Sequence, residues 1–196
     1  PAPLVELFNF TVQTFKNAQG RRLTSMECHD LMCFIGQIVV VGGVRRSAMI
    51  SLSNLSDDRM RHAKSGQWWE TAAHRALANN SVCYTEKPDV ETFMREWTAL
   101  VESKSGERGI FNREASKKQA AKYNRRDPNF EFGTNPCSEI ILRPYQFCNL
   151  TEVVVRATDT VDDLARKVRL ATILGTIQST YTKFPYLRKV WTTNTE

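Results

Sequence analysis

A thiol, a carboxylate and a carboxamide fall within five residues at Asn135-Pro136-Cys137-Ser138-Glu139, and a second thiol, Cys148, follows eleven residues after Cys137. A cysteine set between an amide and an acid has the chemistry of a nucleophile, a metal ligand, a redox thiol or a hydrogen-atom abstractor. These few residues leave the four open. Pro136 fixes its own φ and pushes Asn135 toward extended backbone, so an exposed tight loop is expected. Alternate residues of extended backbone point to one side, which would turn Asn135, Cys137 and Glu139 toward a single ligand. Glu139 would then be placed as a general base, a role worth roughly 10² to 10⁴ in rate. The plain alternative is a buried thiol in a turn, because free cysteines are commonly buried.

A second constellation runs Val39-Val40-Val41-Gly42-Gly43-Val44-Arg45-Arg46-Ser47-Ala48. It reads as a strand entering paired glycines and then two arginines. Glycine lets backbone approach a ligand closely, and arginine suits phosphate and base edges. An ordinary turn with exposed arginines has the same pattern. Cys28-His29 with Cys33 lies in an apolar helical run (Leu31, Met32, Phe34, Ile35), which favours a buried structural role over a metal site.

These residues need elements to hold them. The spacing of Leu4, Leu7, Phe8, Val12 and Phe15 predicts a helix over 4–17. Thr24-Ser25-Met26-Glu27 has capping-box form and opens a helix ending near Gly36. Ile38-Val39-Val40-Val41 reads as a buried strand, and extended chain resumes over 48–52. A polar helix is expected over 57–65, another helical piece over 72–78, and a strand over 81–84. Asp89 caps a helix through Ser103 with Val90, Phe93, Met94, Trp97, Leu100 and Val101 on one side and Gly106 helping to end it. Residues 113–123 read as helix, 125–134 as polar loop, and Val153–Val155 as strand. Asp159 or Thr160 caps a long helix to about Thr180, and 186–191 is helical again. Strands separated by helices make the fold α/β with parallel strands, and no repeat or linker divides it, so one domain over 1–196 is expected.

Composition sets the outer bounds. A chain of 196 residues that is 41% hydrophobic and 10% aromatic can build a core and is not disordered by composition. The net charge of +6 concentrates at Lys117-Lys118, Lys122 and Arg125-Arg126, a surface that favours anions in general. No apolar run reaches the roughly 18 residues of a membrane span, and Pro1-Ala2-Pro3 has no charged signal-peptide start. Five unevenly spaced cysteines without a Cys-x-x-Cys pair speak against a disulfide framework or a zinc ribbon and for a reducing cytoplasm. With no initiator Met and no evident cap or tail, the chain is expected to be a segment of a longer protein.

The cysteine segment with its flanks, Phe132-Gly133-Thr134 before and Ile140-Ile141-Leu142-Arg143-Pro144-Tyr145-Gln146-Phe147-Cys148-Asn149-Leu150 after, resembles the active-site segment of ribonucleotide reductases. Pro136 makes it most like the adenosylcobalamin-dependent (class II) branch. Residues 39–48, Arg75-Ala76-Leu77-Ala78-Asn79-Asn80-Ser81-Val82 and Ser105-Gly106-Glu107-Arg108-Gly109-Ile110-Phe111-Asn112-Arg113 resemble the same branch in the same order. The resemblance implies a finger loop inside a ten-stranded α/β barrel, of which this chain is a part. It implies that Cys137 becomes a thiyl radical taking the 3′-hydrogen of a ribonucleotide and that Glu139 accepts the 3′-hydroxyl proton. Asn135 would bond the substrate, and Cys148 would be one of the two thiols that reduce the 2′ position. It further implies that Gly42, Gly43, Arg45, Arg46 and Ser47 relay between effector nucleotide and substrate base. Adenosylcobalamin is the implied cofactor, with its site not identified in these residues. Implied partners are a ribonucleoside di- or triphosphate, dNTP or ATP effectors, a thioredoxin- or glutaredoxin-like reductant and the remainder of the catalytic subunit, with no membrane and no nucleic acid.

Three parts of that family's machinery have no counterpart in the sequence: the other redox cysteine, the phosphate-binding strand and loop, and a tail Cys-x-x-Cys. The chain alone is therefore expected to be inactive. The competing expectations are an inactive remnant and a basic module that holds nucleotides or nucleic acid without chemistry. The latter predicts salt-dependent polyanion binding and indifference to Cys137→Ala.

Overall fold

The computed structural model describes residues 2–41, 44–45, 47–124 and 126–195. Two compact units divide the chain, Pro1–Ile141 and Leu142–Glu196. The first opens with helices α1 (Ala2–Asn17) and α2 (Ser25–Gln37). α2 starts at the capping box legible in the sequence: Glu27 N donates to Thr24 Oγ1 at 3.2 Å and Thr24 N donates to Glu27 Oε2 at 2.8 Å. Two backbone donors at the helix start are thereby satisfied. The Arg21 guanidinium clasps the same carboxylate and, with the Thr24 backbone bond, holds the Glu27 carboxyl down at about 2. α1 turns Phe10 and Thr14 inward, Ala18 is buried just past its end, and Phe10 stacks on Phe34 of α2 at 4.1 Å. Most of its anticipated apolar stripe (Phe8, Val12, Phe15) stands in solvent instead.

The expected buried strand over 38–41 is a correction. Only β1 (Val40–Val41) is strand, paired antiparallel with β2 (Val44–Arg45), and Ile38 and Val39 are exposed. A two-residue ribbon has no second sheet neighbour to cover it. The central sheet is elsewhere. β3 (Met49–Ser53), β4 (Ala78–Tyr84) and β5 (Gly109–Asn112) run parallel in that order, with Met49 opposite Ala78 and Ser81 opposite Gly109. Between β3 and β4 lie α3 (Asp58–Arg61), α4 (Trp68–Thr71) and a 3₁₀ turn over Ala73–Leu77. The helix expected over 57–65 shrinks to α3, since Gly66 at φ 64 turns the chain and no apolar stripe extends the helix. β4 is the middle strand and is buried along nearly its whole length, as a strand covered on both sides must be.

α5 (Val90–Ser103) begins at the expected cap, where Asp89 accepts from Thr92 N at 2.8 Å. Lys104 takes the left-handed cap position, with Gly106 two residues later. The expected inward face of α5 is largely exposed at Val90, Met94, Trp97 and Val101. What α5 buries is Glu96, which accepts from Arg61 Nε at 2.7 Å and from Arg108 Nε and Nη2, each at 2.7 Å. Arg108 also donates to Ser53 Oγ at 2.6 Å, so α3, α5, β3 and the entry to β5 meet at one carboxylate. α6 (Arg113–Ala121) follows, capped by Asn112. Past it, Phe132 is completely buried, its carbonyl accepting from Arg113 Nε at 2.7 Å. β6 (Gly133–Thr134) pairs with β7 (Ile141–Leu142), which lies at the boundary between the units.

The second unit holds α7 (Val161–Ser179) and α8 (Lys189–Thr195). Thr160 is the N-cap of α7, reciprocated by Asp163. Asp159 instead accepts from Arg156 N at 2.8 Å and from Lys167. Val153–Val155 forms no strand, a second correction: no neighbouring strand pairs with it, and Val154 and Val155 face solvent. The helix expected from residue 186 starts only at Lys189. The architecture is thus mixed α/β around a small parallel sheet.

Candidate active site

The segment between β6 and β7 is a turn rather than an extended loop. Ser138 N donates to Asn135 O at 2.9 Å, which makes Pro136 and Cys137 the two central residues. Proline is favoured at the first central position because its φ is already set. Ser138 lies in the left-handed region at φ 69 and redirects the chain toward Ile140. The two ends are then tied across: Asn135 N donates to Ile140 O at 3.3 Å, and Ile140 N donates to Asn135 Oδ1 at 3.0 Å. Thr134 Oγ1 donates to the same amide oxygen at 3.3 Å.

This turn alters the expected display of side chains. The two-residue alternation of extended backbone ends at the turn, so Asn135 is buried at 4% exposure while Cys137 and Glu139 are exposed. Asn135 locks the loop from behind. Cys137 and Glu139 offer a thiol and a carboxylate to whatever approaches the tip.

The tip is also held from the sheet. Asn79 of β4 donates from Nδ2 to the Pro136 carbonyl at 2.9 Å, and its Oδ1 accepts from Ser81 Oγ at 2.7 Å. Sequence reasoning placed Asn79 and Ser81 in a segment without assignable chemistry. The available signal was a polar Asn-Asn-Ser run inside a strand, where most buried polar groups are paired; Asn79 and Ser81 bond each other, while Asn80 Oδ1 has no partner among the described residues. Beside the loop, Gln119, Ala120, Tyr123, Arg126 and Ile141 line a cavity of about 130 Å³. The Arg126 guanidinium lies 5.3 Å from the centre of the Phe132 ring.

Cys148 belongs to the second unit and is half-buried. Its neighbour Phe147 packs between Phe184 at 4.7 Å and Trp191 at 4.8 Å, and Tyr145 meets Trp191 edge-on at 5.5 Å. That aromatic cluster fixes the segment in place of regular structure. Cys137 and Cys148 thus stand on different units, each positioned by its own.

Of the glycine–arginine constellation, Gly42, Gly43 and Arg46 lie outside the described residues. Arg45 contributes backbone to β2, opposite Val40. Ser47 donates its hydroxyl to the Gly36 carbonyl at the end of α2. A Cβ on Gly36 would come within 3.1 Å of Leu77, so the glycine lets the helix end sit close to the 3₁₀ turn.

The other thiols are built differently. Cys33 is wholly buried and lies 3.7 Å from His29 Nδ1. Its thiol is pushed up to about 11, first by burial and then by the nearby Asp30 charge. Burial works against the Asp30 carboxylate too, but the fork from Arg75, at 2.6 Å to each oxygen, and bonds from His29 and His74 hold it well below the usual range. His29 in turn meets Asn80 Nδ2 at 2.9 Å. This is the structural role expected for Cys33 and His29, although Cys28 is exposed. Burial raises Cys83 as well. Among the described residues no group of His, Cys, Asp or Glu is arranged to hold a metal ion, and no helix is long and apolar enough to cross a membrane.

No family model and no solved structure matches the chain. Curated proteins do. The chain is 35% identical over 158 residues to the adenosylcobalamin-dependent ribonucleoside-triphosphate reductase of Levilactobacillus brevis and 37% identical over 158 residues to that of Lacticaseibacillus paracasei. To the protein of that name from Lactobacillus leichmannii it is 32% identical over 164 residues. Each match takes in 78% of this chain and 20% of the relative, so the chain spans about a fifth of the curated relatives' length.

Proposed function

We propose that this homologue of the adenosylcobalamin-dependent ribonucleoside-triphosphate reductases is the part of a reductase catalytic subunit that carries the hydrogen-abstracting loop, in a chain whose complete form reduces ribonucleotides to deoxyribonucleotides. One observation carries the reading: a buried Asn135 ties a turn shut so that Cys137 and Glu139 are both exposed at its tip. A thiol that must take a hydrogen atom from carbon needs fixed placement more than acidity, and a cross-tied turn supplies it.

Cys137, as a thiyl radical, would take the hydrogen from C3′ and become a thiol. Glu139 would accept the 3′-hydroxyl proton as the 2′-hydroxyl leaves as water. Cys148 and a second thiol outside this chain would supply two electrons and two protons and close into a disulfide. The hydrogen returned from Cys137 to C3′ would restore the radical, and the proton returned from Glu139 to the 3′-oxygen would restore the carboxylate. Asn135, buried behind the tip with its oxygen committed to the loop, would act by holding Cys137 and Glu139 in place. The cavity beside the loop, about 130 Å³, is too small for a corrin. No residue here is therefore assigned to adenosylcobalamin, and no step above runs through it. In the complete protein, a ten-stranded barrel around the loop would screen the radical from solvent. The segment Gly42, Gly43, Arg45, Arg46 and Ser47 would face effector and substrate base, with dNTP or ATP effectors and a thioredoxin- or glutaredoxin-like reductant as partners.

The test is Cys137→Ala in the complete protein, assayed for deoxyribonucleotide formation and, separately, for nucleotide binding. Product should vanish while binding persists. Retained turnover would refute the assignment of Cys137, and nucleotide or nucleic-acid binding without turnover in either form would leave a non-catalytic binding module.

A further inference from the structure

Two stretches that resemble the reductases without evident chemistry, Arg75–Val82 and Ser105–Arg113, converge with the turn at Pro136 on one line of contacts. Ser81 and Gly109 are opposed across β4 and β5. A Cβ on Gly109 would stand 2.7 Å from Ser81 Oγ, so only glycine leaves room for that hydroxyl as it is placed. The hydroxyl donates to Asn79 Oδ1 at 2.7 Å. The Asn79 amide is thereby oriented with its N–H group outward, and it donates to the Pro136 carbonyl at 2.9 Å. A proline carbonyl only accepts, so the acceptor at one end and the donor at the other fix which way the amide faces.

The carbonyl it holds belongs to the peptide bond that carries the Cys137 nitrogen. That bond is planar, so gripping its oxygen sets the plane from which Cys137 departs. The cross-ties of Asn135 join the two ends of the turn to each other, whereas among the bonds described at the turn the one from Asn79 joins its tip to the central sheet.

The geometry points to Asn79 as a positioning residue for Cys137, oriented by Ser81 in the space that Gly109 leaves. The inference rests on the reductase reading for its effect on turnover, but the mechanical part stands without it. Asn79 acts through the Pro136 carbonyl rather than through the thiol itself.

The experiment compares Asn79→Asp, Asn79→Ala and Gly109→Ala with the unsubstituted form in the complete protein. Asn79→Asp keeps the shape and the acceptor for Ser81 but, when ionised, has no hydrogen for Pro136. Gly109→Ala leaves Asn79 intact and drives the Ser81 hydroxyl off it. Hydrogen exchange of the peptide spanning 133–141 should quicken in all three while peptides from β4 and β5 keep their protection. The kcat should fall roughly 10- to 100-fold, the scale of a small misplacement, with KM for the nucleotide within about twofold. Unchanged exchange at 133–141 in all three variants would overturn the inference whatever happens to turnover. Quickened exchange with kcat untouched in an active enzyme would overturn it too. Quickened exchange in a complete protein that reduces no nucleotide would uphold the anchoring of the loop and sink the reductase reading instead.

Discussion

Cys137 and Cys33 have the same side chain and opposite surroundings. Cys33 sits at 0% exposure, and burial with Asp30 nearby raises its thiol to about 11. At pH 8 almost none of it is thiolate, and the thiolate is the reactive form. Cys83 is buried and raised in the same way. Brief treatment of the folded complete protein with iodoacetamide at pH 8, read by peptide mass spectrometry, should therefore spare Cys33 and Cys83, and both should be modified once the protein is unfolded in urea. Labelling of Cys33 in the folded protein would mean that its burial is not that of the native state. The turn around Asn135 also shows why a spacing of two residues was a poor guide to side-chain direction. The alternation holds for extended backbone, and a β-turn followed by a left-handed Ser138 cancels it.

Among the elements, α5 is the most informative because it is amphipathic yet buries an acid. Glu96 is enclosed by Arg61 and Arg108, which reach it from α3 and from the start of β5. Burial by itself would raise its carboxyl, but the hydrogen bonds and charges of the two guanidiniums outweigh that and hold it below its ordinary value. Removing the acid strands two buried cations, a defect that costs about 3–5 kcal/mol in comparable pairs. Glu96→Ala should lower the stability of the complete protein by that order in urea denaturation, provided the unfolding is followed through the first unit. The pH dependence has a definite sign. A carboxyl whose folded value is depressed contributes stability above its unfolded value and loses it as pH falls through the folded one. Acidification below the ordinary glutamate range should therefore weaken the unsubstituted protein more steeply than Glu96→Gln, and equal slopes would rule out the ionised triad as described.

At the scale of the molecule, apolar surface remains uncovered within each unit taken alone. Phe8, Val12 and Phe15 of α1 face solvent in the first, and Leu170, Ile173, Leu174 and Ile177 of α7 do so in the second. Contiguous apolar surface of this kind marks places where other protein packs. It accords with a chain that spans a fifth of its relatives' length. Expressed by itself, the 196-residue chain should bind a hydrophobic dye such as anilinonaphthalene sulfonate and should form no deoxyribonucleotide under anaerobic conditions with substrate, cobalamin and dithiol supplied. Turnover by the isolated chain would show that the thiols and phosphate cradle assigned to the rest of the protein are dispensable.

Local chemistry alone determined a good part of this protein. Thr24 with Glu27, Asp89 and Thr160 mark helix starts because a cap is a bond between residues three apart, and the sequence contains both partners. The α/β class with parallel strands was legible from alternating strands and helices, whereas residue types and spacing at Asn135–Glu139 and Cys148 marked a set capable of chemistry and left its role open. Tertiary structure decided what depends on distant partners. The Val39 and Val153 runs have strand-forming side chains, but only a neighbouring strand can complete a ladder, and neither run has the one its sequence led us to expect. Glu96 looks like a solvent-facing acid until Arg61 and Arg108 are brought to it across 35 and 12 residues. Asn79 is the sharpest instance, because its bond to Pro136 spans 57 residues and no local pattern encodes a contact that only the folded sheet creates.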